Sequence, residues 1–154
     1  MSATLGRAYA LARSAHYGQV DKAGRPYFDT HVAPLVRRVV GYGGDETLQV
    51  IALLHRIVAR TPVTLIGLRI AGYPPLAVDA VDALTRRPGE PGEAYRGRVM
   101  ANPAAVAVAI AHERSPIGVG LCAYPRDIDG EHDHADCADT VFTLAEEHLG
   151  ALHP

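Results

Sequence analysis

One apolar stretch constrains the fold of this chain most, the segment Leu53-Leu54-His55-Arg56-Ile57-Val58-Ala59-Arg60-Thr61. A helix is predicted over residues 45–60, because on a helical wheel four apolar residues fall within about 60° of His55. These are Leu48, Ile51, Val58 and Ala59. Arg56 and Arg60 lie one turn apart on the flank, where like charges mildly destabilise a helix unless an anion is near. The stretch therefore predicts either a pocket beside a buried histidine or a hydrogen-bonded core histidine with two solvated arginines.

Size and charge narrow the class of protein. A chain of 154 residues with 48% hydrophobic and 21% charged residues is enough for one domain with a real core. The formal net charge of −2 and pI of about 6.4 favour neither a nucleic-acid partner nor an anionic membrane. The sequence has no apolar run of the roughly 18 residues that a membrane span needs. Two cysteines, Cys122 and Cys137, are too few for a disulfide scaffold. A cytoplasmic protein is expected.

Apolar periodicity predicts an all-α fold. Helices are predicted over residues 2–17, 31–42, 45–60, 64–71, 75–85, 93–101, 103–114 and 135–152. Ser2 or Thr4 is expected to cap the first helix, Thr30 the second and Thr64 the fourth. Strand signals are nearly absent, so we expect a single domain, residues 1–154, built as a bundle of seven or eight short helices. The apolar face of the closing helix makes a homodimer a reasonable expectation.

Four motifs occur in a characteristic order and spacing. They are Lys22-Ala-Gly-Arg-Pro-Tyr-Phe-Asp-Thr-His31, Ile51-Ala-Leu-Leu-His55, Thr61-Pro-Val-Thr-Leu-Ile-Gly-Leu-Arg69 and Val78-Asp-Ala-Val-Asp-Ala-Leu-Thr85-Arg86. Together they resemble the HD-domain hydrolases, in particular the RelA/SpoT-type guanosine polyphosphate hydrolase domains and their small stand-alone relatives. The resemblance covers about residues 5–116. It implies an HD-domain-like helical bundle and, in working members, a divalent metal, usually manganese, that serves hydrolysis of a phosphate ester or diphosphate.

The chain departs from this family at its acidic positions. By the resemblance, His31 and His55 match metal-binding histidines of the family. Arg56 stands where the family has the aspartate of its His-Asp pair, and Ala59-Arg60 where it has the acidic pair that serves the attacking water. His112 stands where a distal aspartate ligand is expected. The resemblance thus covers the scaffold without the carboxylates of the active site.

This loss argues against a metal cofactor of the family type. Manganese binds best with carboxylate ligands, and an arginine places a fixed positive charge beside the metal position. Two such charges about 4 Å apart repel by several kcal/mol at an effective dielectric near 20. No cofactor is therefore predicted. One alternative stays open, a zinc site made by His31, His55 and His112, since three histidines are a ligand set that activates water.

The same substitutions turn a cation-binding cleft into one suited to anions. Arginines hold carboxylates or phosphates in bidentate geometry, and imidazoles exchange protons near neutral pH. The predicted catalytic residues are His55, His112, Arg56 and Glu113. The predicted residues for binding the substrate are His31, Arg60, Lys22 and Tyr27, of which Lys22 and Tyr27 lie in the stretch that the resemblance places against a nucleotide.

Three functions are compatible with these residues. The first is a repurposed, metal-independent enzyme that uses histidine and arginine for acid–base chemistry on an anionic small molecule. The second is a non-catalytic pseudohydrolase that binds a nucleotide or a protein partner. The third is a metal-dependent phosphohydrolase with a histidine-rich site containing zinc or manganese.

Overall fold

A computed structural model of the chain describes residues 1–112. It contains the helices α1 (Ala3–Ala15), α2 (Ala33–Gly41), α3 (Glu46–Leu54), α4 (Ile57–Arg60), α5 (Leu65–Ile70), α6 (Pro75–Leu84), α7 (Gly92–Met100) and α8 (Pro103–Ala111), with a π-helical turn over Phe28–Val32. β-structure in this part is limited to an isolated bridge between Val20 and Pro26. The predicted all-α fold is therefore confirmed. Glu113 and the predicted closing helix, residues 135–152, lie outside the described residues.

Helix α3 is the centre of the bundle. It packs against α1, α2, α6 and α8, and its residues from Val50 to Leu54 are all buried. Asp45 caps its start, since a carboxylate oxygen of Asp45 accepts a hydrogen bond from the backbone N–H of Leu48 at 2.9 Å. The first turn of α3 is also tied to α1, because the backbone N–H of Ser2 donates to Glu46 Oε1 at 3.0 Å. The helix that leads to His55 is thus fixed at its first turn.

We expect Asp45→Ala to lower the free energy of unfolding by about 1 kcal/mol, because it leaves an N–H group of α3 without its cap. Urea denaturation at pH 7 measures the change. Asp45→Asn is the matched control, since asparagine caps helices about as well as aspartate does. An equal loss in both variants would contradict the capping role.

The predicted helix over residues 45–60 is wrong in one respect, because the structure breaks it at His55. His55 Nδ1 donates to the carbonyl oxygen of Ala52 at 2.6 Å, which is the acceptor that the N–H of Arg56 would use in a continuing helix. Arg56 adopts φ −110° and ψ −1°, and α4 starts only after it. The break also changes the register of the last turn, so that Ala59, predicted on the buried face, is exposed.

The start of the second helix also differs from the prediction. Thr30 does not cap a helix at residue 31; it lies inside the π-helical turn, and its hydroxyl donates to the carbonyl oxygen of Pro26 at 3.1 Å. Helix α2 follows with Pro34 in its first turn, where a missing N–H costs nothing. His31 lies within this turn, and its ring stacks on that of Tyr27, just before the turn.

Helix α8 brings small residues into the core. Asn102 caps it by accepting a hydrogen bond from the N–H of Ala105 at 3.0 Å, and its alanines from Ala104 to Ala111 are buried. The helix ends at Ala111 and not at the predicted residue 114, with His112 as the following residue. Val106–Ile110, which has the composition of a buried strand, is helical. Among the described residues, no helix has the length and apolar character to cross a membrane.

Candidate functional site

A rigid hairpin loop over residues 19–27 forms one wall of the candidate site. The backbone N–H of Tyr27 donates to the carbonyl of Gln19 at 2.8 Å, which closes the loop at its base. Asp21 holds the tip, since its Oδ1 accepts hydrogen bonds from the N–H groups of Ala23 and Arg25 at 2.8 and 3.0 Å. Gly24 lies at the tip with φ +77°, a conformation that favours glycine. The loop therefore presents Lys22 and its neighbours from a fixed backbone.

The ring of Tyr27 contacts two other residues of the candidate site, His31 and Arg60. His31 stacks on it with ring centroids 4.7 Å apart and an angle of 11° between the planes. The guanidinium of Arg60 lies 4.6 Å from the centroid of the same ring, within cation–π distance. The side-chain amide of Gln19 donates to the carbonyl of Arg60 at 2.7 Å, which ties the loop to the end of α4. Three predicted binding residues, Tyr27, His31 and Arg60, are thus brought together.

These residues line a cleft of about 740 Å³. The described residues that line it are Val20, Asp21, Lys22, Ala23, Arg25, Tyr27, Asp29, Thr30, His31, Arg38, Arg60 and His112. Four of them are cations and two are carboxylates, and the carboxylate of Asp21 is paired with Arg25 at 2.9 Å. The cleft therefore has an excess of positive charge, and it has two imidazoles in its wall.

Behind the cleft lies a much smaller inner pocket of about 20 Å³. It is lined by His55, Arg56, Leu84, Tyr95, Val108, Ala109 and His112. His112 is the one described residue that lines both cavities. Within residues 1–112, no carboxylate lies within ion-pair distance of Arg56 or Arg60. Arg60 therefore lines the cleft, whereas Arg56 lines the inner pocket.

His55 is a buried, neutral imidazole. Its side chain is 5% exposed, and its ring lies 5.4 Å from the ring of His112 in an edge-on arrangement. The pKa of His55 is lowered to about 3, chiefly by burial and in addition by the nearby His112, Arg56 and His16, whereas the hydrogen bond to Ala52 acts in the opposite direction. Because Nδ1 donates to a carbonyl, Nε2 is the proton acceptor of this ring.

His112 occupies a more accessible position. Its pKa is lowered by partial burial, by the positive charge of Arg56 and to a lesser degree by Arg38 and His31. The carbonyl of the preceding Ala111 accepts a hydrogen bond from Arg38 at 3.0 Å, which fixes the end of α8 beside the cleft. His112 is therefore a neutral group at neutral pH and lies where a bound molecule can reach it.

His16 is a member of this histidine group that the sequence did not single out as functional. It is 2% exposed, it hydrogen bonds through Nδ1 to Gln19 Oε1 at 2.9 Å, and its ring lies 5.1 Å from that of Tyr27. It directly follows α1 as its C-cap residue. Its connection to Tyr27 depends on the folding back of residues 19–27, which periodicity does not report.

The predicted site residues thus divide into two groups. Lys22, Tyr27, His31, Arg60 and His112 line the cleft, whereas His55 and Arg56 lie at the inner pocket. Glu113, the predicted partner of an imidazole, lies outside the described residues. Among residues 1–112, no group of three histidine, cysteine or acidic side chains is arranged to hold a metal ion, so the three-histidine zinc site is not assembled there.

No protein-family model matches this sequence, and no curated protein matches it. The resemblance to HD-domain hydrolases therefore rests on the sequence motifs alone.

Proposed function

We propose that this protein is a divergent HD-domain-like enzyme that binds an anionic small molecule in the cleft and acts on it by metal-independent acid–base chemistry. The lining of the cleft is the observation that carries this proposal. It combines an excess of cations with two imidazoles in a volume of about 740 Å³, and small-molecule sites range from about 300 to 1,000 Å³. A phosphate or carboxylate group is the natural partner of such a lining.

Arg60 and Lys22 are the proposed anion-binding residues. The guanidinium of Arg60 is oriented against Tyr27, and no described carboxylate competes for it. A planar guanidinium held in place can donate two parallel hydrogen bonds to a carboxylate or phosphate. Lys22, exposed near the tip of the hairpin loop, adds a second cation at the rim.

His31 is the proposed general base. We assign the hydroxyl of Thr30 as donor to the carbonyl of Pro26 at 3.1 Å, which makes His31 Nδ1 the donor to Thr30 Oγ1 across their 2.9 Å contact. Nε2 of His31 is then the nitrogen that accepts a proton. The stacking on Tyr27 keeps the ring in this orientation.

His112 is the proposed proton donor. Burial and the neighbouring arginines lower its pKa, which keeps the ring uncharged at neutral pH, and a neutral imidazole can donate a hydrogen bond to a substrate oxygen. His55 was a predicted catalytic residue, but it does not line the cleft among the described residues. We therefore assign it a supporting role behind His112.

The alternative function, binding without turnover, is favoured by one observation. His55, which the sequence predicted as a catalytic residue, is buried and does not line the cleft, so it cannot reach a ligand there. A nucleotide or other anion would then be held by the arginines alone, as in a sensor.

A ligand screen distinguishes the two functions. Thermal-shift measurements with phosphorylated and carboxylated metabolites, in the presence of EDTA, identify what binds, and mass spectrometry detects conversion. We expect His31→Gln and His112→Gln each to reduce turnover at least about 100-fold, which is typical of the loss of an acid–base group, while the ligand still binds. Binding with no conversion supports the sensor, and turnover that needs added manganese would overturn the metal-independent proposal.

A further inference from the structure

Two buried imidazole nitrogens without a hydrogen-bond partner belong to residues that line the same inner pocket. His55 Nε2 and His112 Nδ1 are both buried, and neither has a partner in the described part of the chain. Both residues line the inner pocket of about 20 Å³. A cavity of this volume holds one water molecule, which needs about 10–15 Å³, and a buried polar nitrogen with no partner is costly.

We propose that the inner pocket binds one ordered water molecule that joins Arg56, His55 and His112. Arg56 lines the same pocket, and its guanidinium can only donate hydrogen bonds. It therefore donates to the water oxygen. The two protons of the water are then available for the two imidazole nitrogens.

The tautomer of His55 selects water over a small anion. His55 Nδ1 donates to the carbonyl of Ala52, so Nε2 presents a lone pair to the pocket. A halide ion beside Arg56 would meet this lone pair with repulsion, whereas water donates a proton to it. The hydrogen bond from His55 Nδ1 to the carbonyl of Ala52 therefore leaves an acceptor nitrogen in the pocket, which favours water over an anion.

The same water fixes the tautomer of His112. Arg56 donates to the water oxygen, and one water proton goes to His55 Nε2. The second water proton is assigned to His112 Nδ1, the other buried nitrogen without a partner, because a proton on Nδ1 would leave the second water proton with no imidazole acceptor; Nδ1 then carries a lone pair. The proton of the neutral ring is then on Nε2, which, unlike Nδ1, is not a buried nitrogen without a partner. His112 can then donate a hydrogen bond to a ligand in the cleft. This role of His112 rests on the proposed function, whereas the water site itself does not.

His55 and Arg56 are positioning residues in this arrangement. They do not touch the ligand, and they determine which nitrogen of His112 carries the proton. The arrangement favours a ligand that presents an oxygen lone pair to His112, and so favours phosphate or carboxylate esters over amines.

A crystal structure at high resolution, grown with sodium bromide, tests the water site. We expect one peak in the inner pocket, without anomalous signal, within hydrogen-bond distance of all three side chains. Long-range ¹H–¹⁵N spectra of the ligand-free protein at pH 8 should place the proton of His112 on Nε2 and that of His55 on Nδ1. A bromide peak, a pocket with no density, or a His112 ring protonated on Nδ1 would each overturn the proposal.

Ala109→Val tests the link between the water and the tautomer. Ala109 lines the inner pocket, and two added methyl groups would occupy the space of the water. We expect the variant to lose the water peak and to show His112 as a mixture of tautomers. Ala107→Val, on the same helix and equally buried but away from this pocket, is the matched control and should keep both. If Ala109→Val does not fold, Arg56→Met removes the donor to the water and should produce the same mixture of tautomers.

Failure of this inference and failure of the proposed function are distinguishable. If the water and the His112 tautomer are as expected and no anion binds, only the proposed function is wrong. If anions bind in the cleft and the pocket is dry, only the water site is wrong.

Discussion

Acidification from pH 7 to pH 5 is expected to lower the free energy of unfolding by about 2 kcal/mol through His55 alone. The pKa of His55 is about 3 in the folded protein against an ordinary value of 6.5, because burial and the neighbouring His112 and Arg56 disfavour its charged form. Above pH 6.5 both states carry a neutral ring, and this stability is fully present. Below pH 6.5 the unfolded chain takes up a proton that the folded chain does not, so the stability is lost as the pH falls toward 3.

The pH range isolates the histidines from the carboxylates. Glu90, whose pKa is lowered to about 2 by its hydrogen bonds to Arg98, and Glu46 and Asp21, whose pKa values are also lowered, act in the same direction. Their stability is present above their ordinary values of 3.8 to 4.5 and is lost only below them. Between pH 7 and pH 5, the lowered pKa of His112 adds to the effect of His55 with the same sign.

Urea denaturation at pH 7 and pH 5 measures the effect. We expect His55→Phe and His55→Gln to reduce the pH-dependent loss by about 2 kcal/mol, because neither side chain takes up a proton. The two variants control for one another, since phenylalanine keeps the ring shape and glutamine keeps a polar group. If the native protein is equally stable at both pH values, or if both variants keep the full loss, His55 is not the buried neutral group described here.

The helical bundle was predictable from the sequence because its signals are local. Thr64 and Pro75 start α5 and α6 as predicted, since a capping hydroxyl and a proline at the first helical positions act within one turn. The helix predicted from residue 103 is α8, which starts at Pro103 and is buried along its alanines. Local interactions determine where these helices begin, so the order of the helices along the chain could be predicted.

The break at His55 was not predictable by the same reasoning. A helical wheel assumes one continuous helix, whereas the ring of His55 takes the carbonyl of Ala52 and ends α3. As a result, Arg56 lies at the inner pocket and Arg60 at the cleft, two arginines that the wheel placed on a single stripe. A hydrogen bond from a side chain to its own helix decides which cavity each cation faces.

The candidate site was predictable only as a set of residue types. The motifs identified His31, Arg60 and Lys22, but the stacking on Tyr27 depends on the hairpin loop that Asp21 holds. His16 was not predicted as a site residue, because a histidine on an apolar helix face is usually part of the core. Its contact with Gln19, which in turn holds the end of α4, is a tertiary effect with no local signal.

Arg60→Gln is expected to weaken binding of an anion in the cleft about 10- to 100-fold, the range for loss of a hydrogen bond to a charged group. The guanidinium lies against Tyr27, and no described carboxylate within ion-pair distance neutralises it, so its charge is available to a ligand. Isothermal titration calorimetry with inorganic pyrophosphate, and with any ligand identified in the screen, measures the change. Arg60→Lys should lose a smaller part of the affinity, since lysine keeps the charge without the bidentate geometry.

Arg37→Gln is the matched control, because it removes the same charge from an exposed position of α2 that does not line the cleft. An exposed charge that does not line the cleft is expected to contribute less than Arg60, because solvent and salt screen it, with a Debye length of about 8 Å at an ionic strength of 0.15 M. If Arg37→Gln weakens binding as much as Arg60→Gln does, the anion responds to the overall charge of the protein and not to the cleft. A loss confined to Arg60→Gln would instead place the anion against Tyr27, within reach of His31, and would make proton transfer at that imidazole the next step to measure.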